Sequence, residues 1–255
     1  MWSRIMLKEN AKQVLQQNYW MAFAVCAIFT IIAGIGTSSI TGKIIVVHND
    51  MLRIWYSGHS FFDFSRFLSQ FALAGLLALA FSVGLTLFLI NPLEAGVSRY
   101  FMLSRDYCSD LGSMFSSFSS GRYLNIVKVL FFRGLFVLLW SLLFIVPGIV
   151  KAYQYRMVPY LMAENPDMDY HRALDLSRAM TRGHKWDLFV LDLSFLGWWL
   201  IGAMLCGVGT LFVIPYVQAT NAEVYEFMRQ KAFATGLAGS VELPGFYPRT
   251  GGFRV

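Results

Sequence analysis

An all-α, polytopic bundle of about six membrane-crossing helices, some of them broken by proline, is the fold class this sequence predicts. Amphipathic helices are expected at its polar edge. Three observations carry the prediction. Of 255 residues, 56% are hydrophobic and only 14% are charged, where soluble domains carry roughly 25% charged positions. The apolar residues gather into six runs, near 19–40, 67–90, 126–146, 148–163, 188–205 and 210–227. Lysine and arginine are distributed unevenly among the connections between those runs.

The chain opens on a helical pattern over 3–18. Leu7, Ala11, Val14 and Leu15 share one face at the 3.6-residue period, bordered by Arg4, Lys8 and Lys12. Such a helix either lies in the membrane interface, with lysines reaching anionic headgroups, or packs on the cytoplasmic end of the bundle. The run 19–40 follows, without a formal charge. At 1.5 Å per residue it is roughly 33 Å long, enough for a hydrocarbon core of about 30 Å. Tyr19 and Trp20 suit an interfacial aromatic belt. The mostly polar residues before it do not resemble a cleavable signal peptide, so this first run is expected to remain as an anchor.

Residues 41–66 read as a polar loop. Its His48, Asp50, His59 and Asp63 match no helical metal-ligand spacing, so a solvated loop is expected. The second run, 67–90, ends at Asn91-Pro92, where proline stops or kinks a helix by removing a donor. Residues 104–122 are rich in serine and glycine and predict a loop with a short helix near 112–117.

The stretch 142–177 organises the rest. The third run meets Pro147-Gly148, a turn or hinge signal. The fourth, 148–163, is short for a crossing and carries Lys151 and Arg156. A hairpin broken at Pro147-Gly148 is expected, with 148–163 crossing or re-entering; a long kinked helix is the alternative. After Glu164-Asn165-Pro166 comes a polar helix, with Asp167 or Asp169 as N-cap and Gly183 beyond its C-terminus. Tyr170, Ala173, Leu174, Ser177 and Met180 form its apolar face. The fifth run carries Asp192, and the sixth is kinked by Pro215. Residues 1–231 are thus read as one membrane-embedded domain, and the Gly/Pro-rich residues 232–255 as a disordered tail.

With both termini cytoplasmic, fifteen Lys and Arg residues fall on the cytoplasmic side and four on the other, while Arg133 and Arg156 lie inside apolar runs. That asymmetry supports cytoplasmic ends. The net charge of +6 is then a matter of cytoplasmic loops. Nucleic acid is not an expected partner, because the basic residues do not gather into one patch with interleaved aromatics.

The candidate sites are few. Ionisable groups inside membrane runs are costly and mark function or pairing. Lys151, Tyr155 and Arg156 are the candidate contacts for an anionic headgroup or substrate. Arg133 and Asp192 are a candidate buried pair joining the third and fifth runs. Pro92, Pro147, Gly148 and Pro215 are the candidate hinges. The sequence has no GxSxG, P-loop or HExxH arrangement. Cys26, Cys108 and Cys206 lie far apart and form no CxxC pair. No catalytic residue, metal or cofactor is therefore expected, and the chain is not read as an enzyme.

The segments NYW (18–20), IVPGIVKAYQYRMVPYLMAENP (145–166), RALDLSRAMTRGHKWDLFVLDLSFLGW (172–198) and IPYVQATNAEVYEF (214–227) resemble the Domain of Unknown Function 975 family of bacterial integral membrane proteins. A more distant resemblance is to the membrane domain attached to some glycerophosphodiester phosphodiesterases, although no phosphodiesterase catalytic domain accompanies it. The resemblance implies class and location and names no chemistry. Three functions are in view. The first is a membrane scaffold or accessory protein docking through 164–185, with membrane-protein partners or a homo-oligomer. The second is a transporter or lipid-handling protein with a polar site at broken helices, touching the bilayer and its anionic lipids. The third is a lipid-modifying enzyme.

Overall fold

The computed structural model describes residues 4–57, 73, 75–105, 110–119, 121–204 and 208–246. Among them every regular element is helical. The chain divides into two compact units, Ile28–Ile90 and the combination of Met1–Ala27 with Asn91–Val255.

The first helix, α1, runs Arg4–Ser57 and is bent at Asn18 (φ −131°, ψ 27°). The bend between Arg4–Gln16 and Asn18–Gly34 is 98°. It falls on the boundary between the amphipathic segment and the first apolar run. Leu7, Ala11, Val14 and Leu15 are all buried, so the amphipathic face packs on protein. The polar loop expected from residue 41 begins instead as helix, through Ser57. No proline precedes Pro92 to stop it. Residues 58–66 lie outside the described residues.

Helix α2 spans Gly75–Ser104. Its part within Ile28–Ile90 is mostly exposed apolar surface, including Leu76, Leu79 and Phe81. At Pro92 the helix is not broken. It widens over Thr86–Ile90 into a π-helical turn, which makes room for a ring that would otherwise press on the carbonyl four residues earlier. The expected hinge at Pro92 is thus a bulge inside a continuous helix.

In the larger unit, Asn91–Ser104 of α2 is the central element: all its residues are buried except Asn91, Glu94 and Arg99. A short helical turn, Leu111–Phe115 continuing as Ser116–Ser119, lies where one was expected. It approaches so closely that a Cβ on Gly96 would overlap the Met114 carbonyl. Helices α3 (Tyr123–Leu143) and α4 (Ile145–Gln154) form a hairpin. The break sits at Phe144 (φ −156°, ψ 144°), three residues ahead of the expected Pro147. Pro147 falls in the first turn of α4, where its missing N–H costs no helical bond. Gly148 does serve the hairpin, because a Cβ there would collide with Ser141.

A turn at Tyr155–Met157 leads to α5 (Val158–Glu164), which is buried throughout. The expected run 148–163 is therefore two short helices, neither long enough to cross a bilayer. Pro159 lies in the first turn of α5 and restarts the helix there. Helix α6 (Tyr170–Met180) is capped by Asp169, whose carboxylate accepts the His171 N–H at 3.1 Å. Its buried face contains Ala173, Leu174, Leu176, Ser177 and Met180, and Gly183 adopts φ +85°. Helices α7 (Lys185–Leu193) and α8 (Leu196–Met204) follow in line, and α9 (Val208–Ala234) contains Pro215 inside it. Gly202 and Gly209 bring the α8 and α9 backbones into contact that leaves no space for a Cβ.

Three helices among the described residues are long and apolar enough to cross a membrane: Gly75–Ser104, Tyr123–Leu143 and Lys185–Met204. Counting the bent pair within α1 as one span gives up to four. The runs 148–163 and 210–227 are not among them. The first is divided, and Gln218, Asn221, Glu223 and Glu226 dilute the second.

The tail corrects another expectation. Residues 235–246 fold back, with Gly236 at φ +68° and Leu243 buried. Arg229 Nη2 donates to the Leu243 carbonyl at 3.0 Å, and Asn165 Nδ2 to the Glu242 carbonyl at 2.9 Å. These bonds supply the order that Gly/Pro-rich composition alone does not. Residues 247–255 lie outside the described residues.

Candidate functional site

The polar side chains of the larger unit gather into three buried or half-buried centres. The first is built on the turn between α4 and α5. Arg156 forms a fork on Asp192 of α7, Nη1 to Oδ2 at 2.6 Å and Nη2 to Oδ1 at 2.7 Å. Its Nη2 also donates to Asn221 Oδ1 of α9 at 2.8 Å. Tyr153 donates its hydroxyl to Asp192 Oδ2 at 2.9 Å. One guanidinium thus ties the α4–α5 turn to α7 and α9. Bidentate geometry of this kind satisfies a carboxylate in a low-dielectric setting.

The second centre is smaller. Arg133 Nη1 of α3 lies 2.9 Å from both carboxylate oxygens of Glu94 on α2. The expected pair Arg133–Asp192 is therefore replaced by two others, Arg133–Glu94 and Arg156–Asp192. The reason is the turn at Tyr155–Met157, which returns Arg156 to α7 and leaves Arg133 beside α2.

The third centre was not anticipated. Glu164 ends α5 with its side chain 1% exposed. Arg229 Nε donates to its two oxygens at 2.9 and 3.1 Å. Tyr225 donates its hydroxyl at 2.6 Å, and the Gly245 backbone N–H donates at 2.8 Å. Tyr160 stacks on Tyr225 with ring centroids 5.2 Å apart. Nearby, Arg105 reaches Glu223 at 2.7 Å and Glu226 at 3.3 Å. Tyr225 and Arg229 stand four apart on one helical face, a spacing that signals a shared partner. Glu164 reads in sequence only as an exit from an apolar run.

The remaining expected contacts are dispersed. Lys151 lies over the Trp140 ring at 4.9 Å and the Tyr155 ring at 5.6 Å. Tyr155 is buried. Arg156 is occupied by Asp192 and Asn221, so Lys151, Tyr155 and Arg156 do not converge on one opening. Among the described residues no three His, Cys, Asp or Glu side chains come together as a metal site would require.

On the outer side, Arg172 clamps the tail. Its Nε and Nη2 donate to Glu242 at 2.5 and 2.8 Å, and Nη2 also to the Leu237 carbonyl at 2.7 Å. That charge-assisted bond holds the Glu242 carboxyl below its usual range and raises the Arg172 guanidinium. His171, Asp175 and Arg178 remain exposed along α6, and Arg182 in the turn that follows it.

Comparison with known proteins meets this geometry at one place. Residues 143–232 match the family described as "Protein of unknown function (DUF975)". The DUF975 match begins at the last residue of α3 and ends in α9, so it takes in the Arg156 centre and the α5–α6 connection. It also takes in Glu164, Tyr225 and Arg229, but neither Glu94 nor the folded tail. No curated protein and no solved structure matches the chain.

Proposed function

We propose that this is a multi-pass integral membrane protein of the bacterial cytoplasmic membrane, with both termini cytoplasmic, and that the whole chain belongs to the DUF975 family. Its role in this reading is that of a scaffold or accessory protein of the cell envelope, not of an enzyme or a transporter. The observation that carries it is a contrast between two surfaces. Apolar side chains at the hairpin ends face outward, with Leu142 84%, Ile145 77% and Met204 86% exposed. Large apolar side chains left this exposed call for a membrane or a partner. The ionic groups, by contrast, close on one another: Arg156 with Asp192, Arg133 with Glu94, Arg229 with Glu164. Charges matched in this way fix helix register and leave little for a transported substrate. The exposed charged side of α6, at His171, Asp175 and Arg178, with Arg182 in the turn after it, is the docking face in this account.

A photo-crosslinking residue placed at Asp175 or Arg178 in living cells tests the reading. The expected result is the same discrete protein adduct from both positions, absent from a control at Leu142 and lost when Arg182 is changed to Glu. No adduct from any α6 position contradicts a scaffold role. Lipid handling is a second reading, favoured by an apolar groove elsewhere in the larger unit.

A further inference from the structure

The groove lies between the first leg of α1 and the α8–α9 hairpin, with a volume of about 630 Å³. That size lies within the range of ligand cavities, about 300–1,000 Å³. Leu15, Trp198, Ile201, Phe212 and Val213 provide its apolar wall. Gly202 and Gly209, in backbone contact, line it where the hairpin is tightest. Seven residues along α9 from Gly209, roughly 10 Å at helical rise, Tyr216 lines it beside Lys12 and Gln16.

The formal charge among the lining residues, Lys12, lies at that second end. Lys12 Nζ lies 6.0 Å from the Tyr216 ring centroid. Lys8 Nζ lies 4.3 Å from the Phe195 ring and donates to the Ser194 carbonyl at 3.4 Å. Phe195 and Tyr216 meet edge to face at 5.4 Å, so both lysines gather at one aromatic pair. Arg4 follows at the same four-residue interval, and Lys8 experiences the like charge of both Arg4 and Lys12. Neither lysine forms an ion pair with a described carboxylate. An apolar channel with a cationic mouth complements a ligand that has a long hydrocarbon part and one anionic end.

We propose that this groove binds a single anionic glycerophospholipid from the bilayer, one acyl chain lying along α8 and α9 and its phosphate at Lys8 and Lys12. A lipid is favoured over a peptide because Trp198, Leu200 and Ile201 beside the groove are exposed and apolar. The acyl chain therefore enters sideways without crossing a polar rim. Tyr19 donates its hydroxyl to the Phe212 carbonyl at 3.3 Å, which holds the start of the second α1 leg against the groove. The site does not depend on α6 having a partner, so the two proposals fail separately.

The test uses the full chain in nanodiscs doped with lipids carrying brominated acyl chains. Quenching at Trp198 is read as the difference between the protein and W198F. Brominated phosphatidylglycerol is expected to quench at low mole fraction and brominated phosphatidylcholine only weakly. A cation near an anionic lipid surface contributes about fivefold in affinity, so K8Q/K12Q is expected to weaken the anionic lipid roughly 25-fold. K8R/K12R should retain binding, and V213F, which fills the groove, should lose quenching by both lipids. Millimolar glycerol phosphate should not displace the lipid. Equal quenching by the two lipids, untouched by K8Q/K12Q, overturns the proposal in favour of bulk annular lipid. Displacement by glycerol phosphate overturns it in favour of a free anion. A lipid-free dimer in native mass spectrometry that V213F converts to monomer overturns it in favour of a second copy.

Discussion

Replacing Arg229 by Met removes the counter-charge of the most deeply buried carboxylate described in this protein. Glu164 is 1% exposed at its side chain, and Arg229 is 10% exposed. Without the guanidinium, Glu164 keeps only the Tyr225 hydroxyl and the Gly245 N–H. A buried ion pair broken from one side costs about 3–5 kcal/mol, because the remaining charge is left in a low-dielectric setting. For a chain of this size each kcal/mol moves the midpoint by about 2–4 °C, so a fall of roughly 6–20 °C is expected in detergent micelles. Arg229 also holds the Leu243 carbonyl, so the tail should become open to proteolysis near 243–246 before global unfolding. The double variant Glu164→Leu with Arg229→Met removes both charges and should recover most of the loss. A single-variant shift under about 2 °C, or a double variant as unstable as the sum of the singles, would refute the reasoning.

Other expectations follow from particular contacts. In a double-mutant cycle, Arg156 and Asp192 should couple by about 1–2 kcal/mol, less than a fully buried pair because Asp192 is one-third exposed. Arg133 and Asp192 should be additive within about 0.5 kcal/mol, measured by thermal unfolding of the four variants. Gly96→Ala places a methyl against the Met114 backbone oxygen and should cost about 1–3 kcal/mol, read as a lowered Tm. The Glu242 pKa is lowered from 4.5 by Arg172, so the tail clamp is intact above that value and is lost as pH falls through the depressed one. Limited proteolysis of the tail should accelerate only as the pH falls beneath the ordinary carboxylate range, and Glu242→Gln should be cleaved readily at neutral pH.

The local features of this fold were legible in the sequence. The buried amphipathic face of the first leg of α1, the Asp169 cap, the left-handed Gly183 and the buried face of α6 each depend on residues within one or two helical turns. The pairing of charges was not, because it depends on where the chain returns. Arg156 meets Asp192 only because the helix breaks at Tyr155–Met157 and restarts at Pro159. A straight run over 148–163 would have carried Arg156 away from α7. Glu164 and Arg229 stand 65 positions apart, and nothing local to Glu164 distinguishes a buried ligand from a membrane exit. The tail misleads for the opposite reason. Its glycines and prolines suggest disorder, while Glu242 is gripped by Arg172 from 70 positions earlier and Leu243 by Arg229 of the preceding helix. The groove was equally hidden, since Lys12, Trp198 and Phe212 share no sequence neighbourhood.

The central claim is that the α3–α4 and α8–α9 hairpin ends lie in a bilayer while the outer face of α6 lies in water. Single cysteines at Ile145, Met204 and Arg178, in a chain whose native cysteines are serine, test it through maleimide labelling in inverted membrane vesicles. The account predicts rapid labelling at 178 by a charged, membrane-impermeant reagent, and labelling at 145 and 204 only after detergent solubilisation. Labelling of 145 and 204 in intact vesicles as fast as 178 would contradict it.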